Sequence, residues 1–262
     1  MDAKIVFLGT GGDAVVIGKG LLGGGGFVLK LGDVQFHIDP GPNSLADAVK
    51  SKVNIRANTA IFSTVYDMLH FNDVNAVIAA MTYDGFDKKG VFVSTEEIIE
   101  NVLLNKSKRN VERVISLNQD QRLGIEDIEI RTLPLNNKAY GFGLKFITDR
   151  FILSYSSDTE YSRSVAKSYE DSDILILNVQ QPGDEKAEGT LCRKDAEKII
   201  SIVKPKLTVI THFGLRMWKA DPIYEARELQ RATGCQVIAA KDGLTISPLS
   251  YSARSKQRRL MF

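Results

Sequence analysis

The pattern of hydrophobic and polar positions predicts a mixed fold of short strands and helices. In the first half, strands are predicted at residues 4–8, 27–31, 34–39, 59–63, 92–93, 111–117 and 125–133. Helices are predicted there at about 44–50 and 73–81 and after a cap at Ser94 or Thr95. In the second half, strands at 141–146, 150–155, 173–179, 207–211, 236–239 and 243–247 are joined by helices at 193–203 and 222–233. Helices that alternate with strands must cover sheet faces, so we expect one mixed domain over residues 1–262.

A glycine-rich turn follows the first predicted strand. Gly9, Gly11 and Ala14 have the spacing of a dinucleotide-binding loop, which has to open a helix that holds the pyrophosphate. Here residues 15–17 are β-branched and glycines follow at 18, 20 and 23–26, so we expect no helix at this position. The segment is therefore interpreted as a tight turn at the end of a strand.

Composition and charge exclude several classes of protein. The chain has 262 residues, of which 44% are hydrophobic, which is enough for a core and excludes a disordered chain. No apolar run approaches the roughly 20 residues of a membrane span, and the N-terminus lacks a signal peptide, so we expect a cytoplasmic location without membrane association. The net charge of +2 is low for a non-specific nucleic-acid binder. Two basic segments, 106–109 and 254–259, are interpreted as solvated surface.

Cysteine and histidine usage limits the metal chemistry. The two cysteines form no C-x-x-C motif, which excludes a disulfide scaffold and a cysteine-rich zinc site. The three histidines are His37, His70 and His212, so any histidine-based centre has at most three imidazoles. His37 lies on the polar face of its predicted strand, where we expect a surface residue or one that supports a ligand.

Three segments each place a metal-binding side chain just beyond an apolar strand. These side chains are His70, Asp158 and His212. Loops at strand ends converge in sheet-based folds, and two imidazoles with one carboxylate can hold Zn²⁺, Fe²⁺ or Mn²⁺ with open coordination positions. The same residue types also cap turns at strand ends, so the pattern alone leaves both interpretations open.

Four segments resemble motifs of the metallo-β-lactamase superfamily, in the branch of tRNase Z and the cyclic-phosphate phosphodiesterases. They are residues 5–12, 37–41, 155–159 and 210–214, in the family's order along almost the whole chain. The resemblance implies an α+β fold, a four-layer αββα sandwich with its site at the top between two sheets. It also implies that Asp158 bridges metals, that His212 is a ligand, and that Asp39, with Asn72 and Asp73, supports the centre without touching metal.

The chain departs from the ligand motif of that family, H-x-H-x-D-H. Over residues 65–70 only the last histidine, His70, remains, and Val65, Asp67 and Leu69 occupy the other ligand positions. The family's middle histidine falls near asparagines 136–137, and a further family histidine aligns with Thr190.

These departures imply that one of the family's two metal sites is absent. Valine cannot bind a metal, and neutral asparagine is a poor substitute for imidazole. The second site keeps His70, Asp158 and His212, and Asp67 is a candidate replacement carboxylate. We therefore expect either one divalent ion (Zn, Fe or Mn) or none.

The function expected first is that of a metallo-β-lactamase-fold protein that has lost the dinuclear site, a non-classical or inactive metallo-hydrolase homologue. The alternative is a mononuclear metal-dependent hydrolase of phosphodiester or related ester bonds, with Asp67 and Asp158 as catalytic carboxylates. Its substrate would be a small molecule or a nucleic acid. A module that only binds RNA is disfavoured by the few basic residues. The resemblance also implies a homodimer.

Overall fold

The computed structural model describes residues 2–137 and 140–252. Its first strands are β1 (Ala3–Phe7), β2 (Phe27–Leu31), β3 (Val34–Ile38), β4 (Ala60–Phe62), β5 (Val91–Ser94), β6 (Arg113–Ser116), β7 (Arg122–Ile125) and β8 (Ile128–Leu133). The later strands are β9 (Gly143–Ile147), β10 (Ile152–Tyr155), β11 (Ile174–Gln181), β12 (Leu191–Cys192), β13 (Leu207–Thr211), β14 (Val237–Ala239) and β15 (Thr245–Ile246).

Short helices connect these strands. They are α1 (Ala14–Gly18), α2 (Ser44–Lys50), α3 (Met68–Phe71), α4 (Val74–Met81), α5 (Glu96–Asn101), α6 (Asn105–Asn110), α7 (Arg163–Ser168), α8 (Arg193–Val203), α9 (Leu215–Lys219) and α10 (Pro222–Thr233). In the part of the chain that the structure describes, none of the helices combines the length and the apolar character needed to cross a membrane.

The strands form two mixed sheets. Within the described residues the first sheet has the order β15-β1-β2-β3-β4-β5-β6, and the second has β14-β13-β11-β10-β9-β8-β7 with β12 beside β11. Strands β3, β4 and β5 are parallel to one another, and so are β10, β11, β13 and β14. The carboxyl ends of parallel strands meet at one edge of a sheet, which brings the loops after β4, β10 and β13 to the edge where ligands bind in such sheets.

The two sheets pack face to face and bury the main core between them. Phe36 of the first sheet stacks on Phe146 of the second with ring centroids 5.5 Å apart, and both side chains are fully buried. A second apolar cluster joins α2, α4 and α5 to the outer face of the first sheet, and a third joins α7, α8 and α10 to that of the second. This arrangement confirms the predicted four-layer αββα sandwich.

His37 is not the surface residue that strand alternation suggested. It is completely buried on the helix-covered face of β3, and its Nε2 lies 2.9 Å from the Gly25 carbonyl oxygen. Burial lowers the pKa of His37 to about 4, so the ring is neutral and donates this hydrogen bond. The expectation of a surface position was wrong because helices and the glycine-rich segment 23–26 cover the outer face of this sheet.

The segment after the first glycine turn also differs from the prediction. Residues 14–18 do form one turn of helix, α1, because the Asp13 carboxylate accepts hydrogen bonds from the backbone N–H groups of Val15 and Val16. The N-cap therefore outweighs the low helix propensity of β-branched residues. Gly9 serves close packing, since a Cβ there would lie 2.3 Å from the Gly23 carbonyl carbon.

Other differences concern short elements. The predicted strand at 125–133 is not continuous: it covers the last residue of β7, a turn with Glu126 at φ 50°, and β8, which pairs with β7 as a hairpin. Helices α3, α6, α7 and α9 are too short to show a helical period in the sequence. Lys106 and Lys108 of α6 pair with Asp84 and Glu100, as expected of a solvated surface. The basic tail segment 254–259 lies outside the described residues.

Candidate metal centre

Three loops bring His70, Asp158 and His212 together at the edge of the two sheets. His70 lies in α3 after β4, Asp158 follows β10, and His212 follows β13. One potential ligand atom from each residue lies within 4.8 Å of the other two. Within residues 2–137 and 140–252, no other group of three or more histidine, cysteine or acidic side chains meets this condition.

The distances in this cluster fit one metal ion. Asp158 Oδ2 lies 3.2 Å from His70 Nε2 and 3.4 Å from His212 Nε2. Bonds of about 2.1 Å to a tetrahedral ion would place ligand atoms roughly 3.4 Å apart. Neither these two Nε2 atoms nor His70 Nδ1 makes a well-aligned hydrogen bond, although all three are buried. Two imidazole nitrogens and one carboxylate oxygen are a donor set for Zn²⁺, Fe²⁺ or Mn²⁺.

Charge within the cluster favours ionised groups despite their burial. Burial alone would favour the neutral acid, but His212 and His70 hold the pKa of the Asp158 carboxyl well below its usual range. Burial likewise opposes charge on His70, yet Asp39 and Asp158 raise the pKa of this imidazole well above its usual value. The two carboxylates therefore favour a positive charge between them, and a protonated His70 has to release its proton before its Nε2 can bind a metal ion.

Asp39 holds the other side of the His70 ring. Its Oδ2 lies 2.8 Å from His70 Nδ1 and accepts hydrogen bonds from Thr64 Oγ1 at 2.8 Å and Tyr155 OH at 2.7 Å. Its Oδ1 accepts from the Thr64 backbone N–H at 2.8 Å. A carboxylate on the second nitrogen of a metal-binding histidine fixes the ring and directs Nε2 toward the metal.

The sequence analysis missed Asn178, which contacts Asp158 directly. This residue of β11 is 2% exposed, and its Nδ2 donates to Asp158 Oδ1 at 2.7 Å and to Tyr155 OH at 3.1 Å. The one signal in the sequence is an amide side chain within an otherwise apolar strand, Ile174–Val179. Buried polar side chains need partners, so such an isolated amide indicates a polar neighbour on an adjacent strand.

Three residues of this site have a left-handed backbone conformation. Asp39, Ser157 and His212 have positive φ values of 52°, 55° and 61°. The left-handed region is costly for residues with a Cβ, and such residues cluster at functional sites. The backbone of His212 packs directly against Gly12, where a Cβ would lie 2.1 Å from the His212 carbonyl oxygen.

A small cavity adjoins the cluster and leaves little open access. Its volume is about 20 Å³, enough for one water or ion, and its lining includes His70, His212, Asn178 and four glycines, at 9, 11, 24 and 26. His70 is fully buried, His212 is 9% exposed and the Asp158 side chain is 14% exposed. Of the three side chains, those of His212 and Asp158 therefore keep some contact with solvent.

The residues at the altered ligand positions make other contacts. Val65 is buried and its backbone pairs with Gly141. Asp67 is exposed, its Oδ1 accepts from the Leu69 N–H at 2.8 Å, and the structure does not bring it into the cluster. Leu69 itself lines the cavity.

The aligned asparagines and the residues next to His70 stabilise loops. Asn137 Nδ2 donates to the Asp158 carbonyl oxygen at 3.1 Å, and the Asn136 backbone N–H donates to Thr159 Oγ1 at 2.8 Å. Thr190 Oγ1 donates to the Ala187 carbonyl at 3.1 Å. Asn72 and Asp73, the other residues predicted to support the centre, form a hydrogen bond with each other: Asn72 Nδ2 donates to Asp73 Oδ1 at 2.8 Å. Asp73 Oδ2 in turn accepts from the Ser44 N–H at the start of α2.

Comparison with sequences gives one relative of unknown activity. No family model matches the chain. The uncharacterized protein MJ1374 of Methanocaldococcus jannaschii is 27% identical over 259 residues, which cover 95% of this chain and 97% of that protein. The similarity therefore extends over almost the full length of both chains but identifies no reaction.

Comparison with solved structures is more informative about the fold. The metallo-β-lactamase fold protein YhfI of Bacillus subtilis has a TM-score of 0.81 and 18% identity, over 94% of this chain and 99% of that one. The short form of human tRNase Z has a TM-score of 0.69 and 16% identity, over 93% and 98% of the two chains. At these identities the agreement concerns the fold, and function has to be argued from the site.

Proposed function

Because this chain has the metallo-β-lactamase fold, we propose that it is a mononuclear metal-dependent hydrolase of phosphodiester or related ester bonds. One divalent ion would be held by His70, Asp158 and His212. The observation that carries this proposal is the position of Asp158 Oδ2, 3.2 Å from one imidazole Nε2 and 3.4 Å from the other. The ion is Zn²⁺, Fe²⁺ or Mn²⁺, as the donor set favours.

The residues around the ligands prepare them for this role. Asp39 orients His70 through Nδ1, and Asn178 occupies Asp158 Oδ1, so that Oδ2 remains for the ion. Three protein ligands leave coordination positions for substrate and water, and a bound divalent ion lowers the pKa of such a water to about 7. The catalytic roles of Asp158, as a ligand, and of Asp67, as an exposed carboxylate near the ligand loop, stay predictions.

We also infer that the chain has no second metal. The positions that would supply it hold Val65, Asp67 and an asparagine pair, and Asn136 and Asn137 bond the loop after β10. Valine has no donor atom, and carboxamides are weak ligands for transition metals compared with imidazole. The reaction would therefore depend on one ion rather than on the two-metal clamp of dinuclear phosphodiesterases.

The substrate class rests on similarity of fold. One of the similar structures is named a tRNase, which suggests a phosphodiester substrate, either a small molecule or a nucleic acid. The chain's near-neutral net charge favours the small molecule, because nucleic-acid binding draws on clustered basic residues. Homodimerisation remains a prediction, which sedimentation analysis would test.

A second candidate is a metal-free or inactive member of the fold that binds a ligand or partner. The observation that favours it is that charges of opposite sign within the cluster can neutralise one another. His70 contacts two carboxylates, Asp39 and Asp158, so the charges can be neutralised without an ion. The small volume of the cavity, about 20 Å³, also favours the metal-free hypothesis, because it leaves little space for a substrate beside the ligands.

The two candidates are separated by an assay of reconstituted protein. Chelator-treated protein is loaded with Zn²⁺, Mn²⁺ or Fe²⁺ and tested on bis(p-nitrophenyl) phosphate. We expect hydrolysis that requires metal and that is lost in Asp158→Asn. The matched control is Asp149→Asn, an exposed carboxylate in the β9–β10 turn, which should keep the wild-type rate. A wild-type rate no higher than that of Asp158→Asn would reject the hydrolase and leave the second candidate.

A further inference from the structure

The buried side-chain amide of Asn178 forms hydrogen bonds through its nitrogen but not through its oxygen. Its nitrogen makes two hydrogen bonds, to Asp158 Oδ1 at 2.7 Å and to Tyr155 OH at 3.1 Å. Its Oδ1 is buried and makes none. Leaving a buried carbonyl oxygen without a partner destabilises a protein, so an unpaired oxygen in this position needs an explanation.

Rotating the amide does not remove the unpaired atom. If oxygen and nitrogen exchanged places, Asn178 Oδ1 would face Asp158 Oδ1 at the 2.7 Å of the present contact, and two acceptors would repel each other. Asp158 thus determines which end of the amide is the nitrogen. The contact with Asp158, a candidate metal ligand, is therefore the reason that Asn178 Oδ1 has no hydrogen-bond partner.

The unpaired oxygen belongs to a residue that lines the same cavity as His70 and His212. The metal proposed above would have three protein ligands, of which Asp158 is tied to Asn178 by hydrogen bonding. Amide oxygens bind hard divalent cations such as Mn²⁺ well, and they are poor ligands for soft ones. Asn178 Oδ1 has no hydrogen-bond donor beside it, and a metal cation could interact with its lone pairs instead.

We propose that Asn178 is a fourth protein donor of the metal centre, through Oδ1, and that it also positions Asp158 through Nδ2. This inference rests on the proposed metal site. It assigns to one side chain the role of ligand and of support for a second ligand. A carboxamide in place of a further imidazole would shift the preference of the site toward Mn²⁺ or Fe²⁺ and away from Zn²⁺.

The test separates the oxygen from the nitrogen of the amide. Asn178→Asp keeps a side-chain oxygen and removes the donor, whereas Asn178→Leu keeps the branched shape of the side chain and removes both polar atoms. Mn²⁺ and Zn²⁺ affinities are measured by titration calorimetry on chelator-treated protein. Asn101 supplies the matched control pair, Asn101→Asp and Asn101→Leu, because it is exposed and bonds only Glu97 of its own helix.

We expect Asn178→Leu to lose at least about tenfold in Mn²⁺ affinity, the size of effect that loss of a supporting contact gives, and more if a ligand is lost. Asn178→Asp keeps an oxygen for the metal but loses the donor to Asp158 Oδ1, so it should lose less Mn²⁺ affinity than Asn178→Leu, and both Asn101 variants should be unchanged. The visible absorption spectrum of the Co²⁺ form should differ between the wild type and Asn178→Leu, because the ligand set differs.

Equal losses of affinity in Asn178→Asp and Asn178→Leu would overturn the proposal, because only the nitrogen would then matter. Unchanged affinity in Asn178→Leu, or an unaltered Co²⁺ spectrum, would overturn it as well. In each of these cases the wild type still binds metal and the proposed function stands. If the wild type binds neither Mn²⁺ nor Zn²⁺, both the role of Asn178 and the proposed metal-dependent function are rejected, so this failure is distinguishable from failure of the Asn178 proposal alone. Thermal unfolding of the metal-free variants identifies any loss of affinity that comes from misfolding.

Discussion

His70 bridges two carboxylates: its Nδ1 lies 2.8 Å from Asp39 Oδ2 and its Nε2 lies 3.2 Å from Asp158 Oδ2. Asp39 comes from the first sheet and Asp158 from the second, so the imidazole joins the two halves of the sandwich at the site. The same contacts orient the ring for metal binding. Replacement of Asp39 should therefore affect both stability and the site.

Asp39→Asn is expected to destabilise the metal-free protein by about 3 kcal/mol, as removal of one member of a buried ion pair does. Asp39 is 3% exposed and receives hydrogen bonds from Thr64 and Tyr155, which an amide cannot fully accept. Urea unfolding in the presence of chelator measures the change. The control, Asp33→Asn, alters an exposed carboxylate and should change stability by less than about 0.5 kcal/mol. Equal effects of the two substitutions would contradict this account of Asp39.

His37 predicts a pH dependence of stability. Its pKa in the folded protein is about 4, below the ordinary value of 6.5, because burial disfavours the charged ring. The Gly25 carbonyl, Asp39 and Asp73 oppose this effect only in part. Between these values the unfolded chain binds more protons than the folded chain. The contribution of His37 to the free energy of unfolding is therefore fully present above about pH 6.5. It is lost as the pH falls to 4 and below, by about 3 kcal/mol in total.

His37→Gln is the variant that isolates this effect. Glutamine keeps an N–H for the Gly25 carbonyl oxygen but does not titrate. Chemical unfolding at pH 7 and pH 4.5 should show a larger loss of stability in the wild type than in the variant. Parallel losses in the two proteins would mean that His37 is not the group responsible.

Gly12 is expected to be essential for the position of His212. A Cβ there would lie 2.1 Å from the His212 carbonyl oxygen and 3.0 Å from its Cδ2, and the Gly12 N–H donates to the Phe213 carbonyl oxygen at 2.9 Å. Gly12→Ala should therefore displace His212 and lower metal affinity by at least about tenfold. Gly18→Ala is the control, because a Cβ at Gly18 meets no atom within 4 Å. Titration with Mn²⁺ or Zn²⁺ measures both, and equal affinities would refute the steric role of Gly12.

Much of the fold was predictable because the longer elements have clear periods. Helices α8 and α10 and strand β13 have the predicted bounds, since amphipathic spacing and buried runs are strong signals. The hairpin β7–β8 was not predicted, because Ile125, Ile128 and Ile130 continue one apolar pattern across a turn at Glu126. Single-turn helices such as α1 depend on one cap, which no period reveals.

The candidate site was predictable only in part, for a related reason. His70, Asp158 and His212 each follow an apolar strand, and a rare residue type after a strand is visible in the sequence. Tyr155 and Asn178 lie within strands, where the sequence suggests packing. Their hydrogen bonds join residues 23 positions apart, and only the parallel pairing of β10 with β11 brings them together.

The most direct test of the central claim is the metal content per chain, measured by elemental mass spectrometry on protein purified without chelator. The wild type and the His37→Gln variant should each carry close to one equivalent of Zn, Fe or Mn, and the His70→Ala/His212→Ala double variant should carry almost none. Two equivalents would contradict the single-metal centre. No metal, even after incubation with Zn²⁺ or Mn²⁺, would show that the cluster of His70, Asp158 and His212 is not a metal site.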